Sequence, residues 1–216
     1  MIWYLPGCTT TALHPEAAAK LKAYVMRDGM PEAPCCKDED VSVLRDGDTV
    51  ITCCTNCDLM LAERLPKVRI ISVYEYLLGD PDFPWPDLGG RRMTLQDCWR
   101  ERNNAAIQDA VRACLKKMNV SVIELPDDRE RSTYCGVWLN TPITPANLKY
   151  APKTFGEIRD KYLVLLSDVE KREKMQAYAE NWPTQEVVIY CNGCERGVRL
   201  TDKTPRHMVE LLAMRL

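Results

Sequence analysis

The sequence predicts an α/β protein of two duplicated lobes, each a mostly parallel sheet flanked by helices, with metal or cluster sites at the C-terminal ends of strands. Three observations predict it. Short β-rich runs alternate with segments of helical periodicity, the pattern of parallel sheets joined by crossover helices. The order strand, cysteine, helix occurs near the start of the chain and again after residue 92. Each half closes with a strand that runs into a C-x-x-C, at Cys54 to Cys57 and at Cys191 to Cys194.

In the first lobe, residues 1–80, Ile2–Leu5 reads as a strand leading to Gly7-Cys8. A helix follows over Pro15–Arg27, where Ala17, Leu21 and Val25 recur at helical spacing. Asp48–Thr52 reads as a strand entering the first C-x-x-C, and Ser72–Leu78 as a short helix with a glutamate followed by leucines. Residues 81–92, rich in proline, aspartate and glycine, form the linker.

In the second lobe, residues 93–216, Met93–Gln96 and Asp97-Cys98 repeat the opening strand and cysteine. The helix over Asn103–Met118 carries Ile107, Val111, Cys114, Leu115 and Met118 as an apolar stripe. Glu186–Tyr190 leads into the second C-x-x-C, and Arg206–Leu212 repeats the short helix. The offset between corresponding cysteines grows from 90 (Cys8 to Cys98) to 99 (Cys36 to Cys135) to 137 (Cys54 to Cys191), which places an insertion at about residues 138–182. Within it, Phe155–Asn181 reads as a charged helical stretch with Ile158, Tyr162, Leu165, Val169 and Met175 facing inward.

Composition narrows the function classes. The 216 residues are enough for a substantial core without disulfides. With 29 basic and 31 acidic residues the net charge is −2, so nothing favours nucleic acid or an anionic membrane as partner. The N-terminus lacks a basic leader and no apolar run reaches the roughly 20 residues of a membrane helix, which predicts a cytoplasmic protein. Closely spaced cysteines in a reducing compartment bind metal or do redox chemistry more often than they form disulfides, and the odd total of 11 points the same way.

A C-x-x-C alone is compatible with a thioredoxin-like dithiol, a zinc site or an iron–sulfur ligand pair. The vicinal pair Cys35-Cys36 narrows the choice, because Cys8, that pair, and Cys54 with Cys57 offer five thiolates from three separate loops. Five exceed the need of one tetrahedral zinc or one ordinary cubane. Cys114, inside an apolar stripe, reads as a small core hydrophobe. His14 reads as an exposed histidine at a helix start, and His207 as a neighbour of Glu210. Trp99 and Trp138 follow Cys98 and Cys135 closely enough to shield a cluster, and Asn56 and Asn192 suit the turns of the two C-x-x-C motifs. No G-x-G-x-x-G follows a strand, so no flavin or nicotinamide site is indicated.

This pattern of a lone cysteine after a strand, a cysteine pair and a C-x-x-C, present twice over nearly the whole chain, resembles the cysteine-rich CCG-domain family typified by the B subunit of heterodisulfide reductase. The resemblance implies noncubane four-iron, four-sulfur clusters, a redox partner protein, and electron transfer to small-molecule or protein disulfides. It assigns Cys8, Cys35, Cys36, Cys54 and Cys57 to the first cluster, with Lys37 in place of the family's glycine and Cys53 as a competitor of Cys54. In the second lobe it assigns Cys98, Cys135, Cys191 and Cys194, with Tyr134 standing where the pair's first cysteine would be. Four thiolates there suit a cubane, a zinc ion, or a noncubane cluster with one open iron. The alternative for the whole chain is a zinc-stabilised, non-enzymatic scaffold that binds a partner.

Overall fold

A computed structural model describes residues 1–216. Its first sheet contains β1 (Ile2–Leu5), followed by α1 (Cys8–Leu13) and α2 (Pro15–Val25), then β2 (Thr49–Thr52), α3 (Thr55–Arg64), β3 (Arg69–Ser72) and α4 (Val73–Leu78). The strands are parallel in the order β1-β2-β3, with Leu5, Thr52 and Ser72 aligned at their C-terminal ends. The segment at Glu32 runs beside β1, bridged through Tyr4.

The second sheet is built the same way. It contains β4 (Arg92–Leu95), α5 (Ala105–Lys117) and β5 (Ser121–Ile123), then the insertion helices α6 (Pro145–Tyr150), α7 (Pro152–Lys161) and α8 (Asp168–Ala179). It closes with β6 (Glu186–Ile189), α9 (Asn192–Val198), β7 (Thr204–His207) and α10 (Met208–Leu212). All pairings are parallel, in the order β5-β4-β6-β7. Thus β4, β6 and β7 correspond to β1, β2 and β3, and β5 takes the place of the short bridged segment at Glu32.

The halves interlock. α2 packs on α10, and α5 packs on α4, so each half lends a helix to the other. The larger core cluster runs through both, from Leu21 and Tyr74 to Val111, Val188 and Leu212. A second cluster joins β2 and α3 to Phe155 and Ile158 of α7, so the insertion covers the first sheet.

Four expectations change. The stretch 155–181 is two helices, broken between Lys161 and Asp168; Ile158 and Met175 are buried, while Tyr162, Leu165 and Val169 are exposed. The break follows from Ser167, whose hydroxyl and Glu170 form a capping box and start α8 afresh. Residues Thr204–His207 are strand, so the last short helix begins only at Met208. Cys98 precedes a single 3-10 turn, Trp99–Glu101, and the helix starts only at Ala105. His14 is buried, at 3% exposure, because α2 is pressed against α10.

Candidate metal centre

Both C-x-x-C motifs are set by the same local device. Cys54 and Cys191 leave their strands in extended conformation and occupy the N-cap positions of α3 and α9. Cys57 and Cys194 then fall in the first helical turn, where Cys57 N–H donates to the Cys54 carbonyl at 2.8 Å. The start of a helix, with its unpaired N–H groups, favours thiolate over thiol.

All eleven thiols are free of disulfides. In the first set the side chains neighbour one another in series, Cys8 with Cys35, Cys35 with Cys36, Cys36 with Cys57, and Cys57 with Cys54. Cys57 sits at the middle. Contacts with Cys36 and Cys54, together with burial, keep its thiol protonated well above the ordinary range. The bond from Cys57, assisted by the Arg100 charge, brings Cys54 down to about 6 against the effect of burial. Cys8 is exposed and Cys35 half-buried, so this set reaches the surface, whereas Cys36, Cys54 and Cys57 are buried.

Cys53 takes no part in the set. It faces the core, within 3.0 Å of the Tyr4 hydroxyl, and burial pushes its thiol up to about 12. Cys114 is fully buried against the Tyr74 carbonyl, an inert core thiol.

In the second set the donor atoms of Cys98, Cys191 and Cys194 lie within 4.8 Å of one another, and all three are buried. Cys194 holds the position that Cys57 holds in the first set: burial and contacts with Cys191 and Cys98 keep its thiol protonated well above the ordinary range. Cys135 is not within that 4.8 Å group; it lies buried near Arg100, next to Gly136, whose φ of +55° and closeness to the Gly193 carbonyl leave no room for a Cβ. Tyr134 does not substitute for the absent cysteine. Its hydroxyl donates to the Cys194 carbonyl at 3.2 Å, and its ring packs on Tyr178 and Trp182.

Sequence reasoning missed Arg100. Its guanidinium is buried over the Trp138 ring, and Nη2 donates to Cys191 Sγ at 2.8 Å. Burial works against this charge, yet the thiols of Cys191, Cys135, Cys98 and Cys194 outweigh it and raise the Arg100 pKa further. A buried cation ringed by thiols is a preformed counter-charge for an anionic thiolate centre. Two carboxyls were missed as well. Burial pushes Glu101 up to about 7, and burial with Glu101 nearby raises Asp58 well above the carboxylate range, so each favours its neutral form beside the first set. For Asp58 the available signal was position, since it directly follows the first C-x-x-C.

The two sets adjoin. Thr55 Oγ1 lies 3.5 Å from Cys191 Sγ, and Asn192 Nδ2 lies 3.8 Å from Cys54 Sγ. Between the turns opens a cavity of about 210 Å³, walled by Cys54, Trp138 and Asn192 and by three cations, Lys37, Arg100 and Arg196. Fold and site define the class: a cysteine-rich α/β protein whose buried thiol sets are able to hold metal. No helix is long and apolar enough to cross a membrane. Comparison of the chain with protein-family models, curated proteins and solved structures returns no match.

Proposed function

We propose that the protein is an iron–sulfur oxidoreductase or electron-transfer module acting on disulfide and thiol substrates, of the CCG-domain kind that its cysteine pattern resembles. One observation carries the reading: nine cysteines, drawn from separate loops and free of disulfides, fall into two adjoining groups, a series of neighbouring thiols from Cys8 to Cys54 and the buried trio Cys98, Cys191 and Cys194 with Cys135 beside Arg100. The donor chemistry fits an iron–sulfur group, since both sets are thiolate-rich, and thiolates suit iron–sulfur clusters and zinc rather than hard cations.

Cys8, Cys35, Cys36, Cys54 and Cys57 would hold a noncubane four-iron, four-sulfur cluster, and Cys98, Cys135, Cys191 and Cys194 a second. Bound there, such a group supplies electrons one at a time. Reduction of a disulfide to two thiols consumes two electrons and two protons, so a redox partner protein must deliver the electrons. Lys37 and Arg196, on the cavity wall, suit a disulfide that carries acidic groups. Arg100 holds the Cys191 sulfur in place, and Trp138 beneath it limits water on that side.

A second reading rests on the second set alone. Four thiolates are the complement of a structural zinc, and zinc there would leave a scaffold that binds a partner without catalysis. One experiment separates the two. Protein reconstituted anaerobically with iron and sulfide, and supplied with a reduced low-potential dye, should reduce a small disulfide, and Cys36→Ser should lower that rate at least tenfold. Activity unchanged in Cys36→Ser would favour a simple Cys54/Cys57 dithiol, and no activity with zinc retained would favour the scaffold.

A further inference from the structure

We propose that His14, Glu195 and His207 form a separate binding site for one divalent transition cation of the zinc class, ligated by nitrogen and oxygen rather than sulfur. The three come from the start of α2, from α9 and from the end of β7. All are buried, at 3%, 1% and 0% exposure, and one donor atom from each lies within 4.8 Å of the others.

The duplication supplies an internal control. His14 stands six residues after Cys8, as Asn104 stands six after Cys98; Glu195 stands four after Cys191, as Asp58 stands four after Cys54. His207 ends β7 opposite Ile189, as Ser72 ends β3 opposite Thr52. Asn104 and Ser72 are ordinary N-caps, accepting from Ile107 N–H and Glu75 N–H. Helix capping therefore asks for a small polar residue at both places, and imidazole is not needed for it. His14 makes no capping bond at all, its ring being turned inward instead. Two histidines replace the two caps, and both sit beside one glutamate.

The surrounding contacts are those that orient metal ligands. His14 Nε2 lies 2.7 Å from Glu195 Oε2, while its Nδ1 is held by Glu210 Oε1 at 3.0 Å, the carboxylate–histidine arrangement found behind metal-bound imidazoles. Arg199 Nε holds the other oxygen of Glu195, Oε1, at 2.9 Å and leaves Oε2 for the site. His207 Nε2 is buried with no partner. Its Nδ1 accepts a long bond, 3.3 Å, from Val209 N–H.

Loading is balanced as a proton exchange. A cation with arms of about 2.0–2.2 Å holds tetrahedral ligand atoms roughly 3.3 Å apart, so His14 and Glu195 separate by about half an ångström and the proton between them leaves. At His207 the ring proton moves from Nε2 to Nδ1, and the Val209 contact is given up. Two imidazoles and one carboxylate suit zinc or ferrous iron rather than calcium or magnesium. A solvent cavity of about 510 Å³, lined by Lys20, Arg206 and Glu210, borders the site at His14.

The test counts metal on the complete protein, purified anaerobically with its cysteine sets loaded. Wild type is compared with His14→Asn and His207→Ser, which install the caps the other half already uses. Titration with Co²⁺ should add one equivalent to wild type without new thiolate charge-transfer absorption. Both variants should lose that equivalent while keeping the metal on their cysteines. Equal stoichiometry in wild type and folded variants would overturn the proposal. Should the variants fail to fold, the wild-type titration decides alone, and absence of a sulfur-free Co²⁺ equivalent overturns it. The outcome does not depend on whether the cysteines carry iron–sulfur or zinc.

Discussion

Arg100 is the residue on which the electrostatics of both thiol sets turn. It contributes to the depressed pKa of Cys54 on one side and donates to Cys191 on the other. In metal-free protein, Arg100→Gln should move the Cys54 titration upward from about 6, read as the pH dependence of thiolate absorbance or alkylation rate. An unchanged midpoint would assign the depression wholly to Cys57. Gly136 is the matching steric residue. A side chain there meets the Gly193 carbonyl at 2.1 Å, so Gly136→Ala should destabilise by about 2–4 kcal/mol and loosen Cys135, measured by urea unfolding and metal content. Asp48 is a purely structural case. Bonds from the Met1 ammonium and from Arg45 N–H hold its carboxyl at about 2. The folded state then binds fewer protons than the unfolded chain, whose carboxyl titrates near 3.9. Its contribution is present in full above about pH 4 and disappears as pH falls toward 2. The urea midpoint of Asp48→Asn should therefore lie below wild type at pH 6 and converge with it near pH 2; a gap independent of pH would contradict this.

At the scale of elements, legibility followed locality. The strands leading into Cys54 and Cys191 and the helices that follow were readable, because an apolar run ending in a C-x-x-C determines strand, cap and first turn within a dozen residues. The five cysteines of the first set were readable from their spacing, and the structure arranges them as a series of neighbouring pairs rather than one compact group. The stretch 155–181 was not. Its apolar spacing continues through Tyr162 and Leu165, but the Ser167–Glu170 capping box restarts the helix, and the break is held through its backbone by Leu139 and Asn140 while the Leu165 side chain stays exposed. Leu165→Ser should accordingly change stability by less than about 0.5 kcal/mol, whereas a buried leucine would cost about 2–5. Ser72→Ala, which removes the capping box of α4, should cost about 1 kcal/mol by the same urea measurement.

At the scale of the whole molecule, the illegible part is what passes between halves. Burial of His14 depends on α10, nearly 200 residues away in sequence, with Glu210 as its partner at a separation of 196. The adjacency of Cys54 and Cys191 likewise arises only when the two sheets interlock, through Asn192 and Thr55. Periodicity in one half carries no information about such contacts. The interlocking sets the two groups of thiols side by side, through Thr55 against Cys191 and Asn192 against Cys54, with Cys54 alone of the thiols facing the cavity between the turns.

If the two sets hold iron and sulfide, as proposed, the bound elements report it. The measurement that tests it most directly is iron, zinc and acid-labile sulfide per chain on anaerobically purified protein, with electron paramagnetic resonance of oxidised and reduced forms. About four irons and four sulfides are expected for each occupied set, with a paramagnetic signal that changes on reduction. Zinc alone, persisting after reconstitution with iron and sulfide, would contradict it.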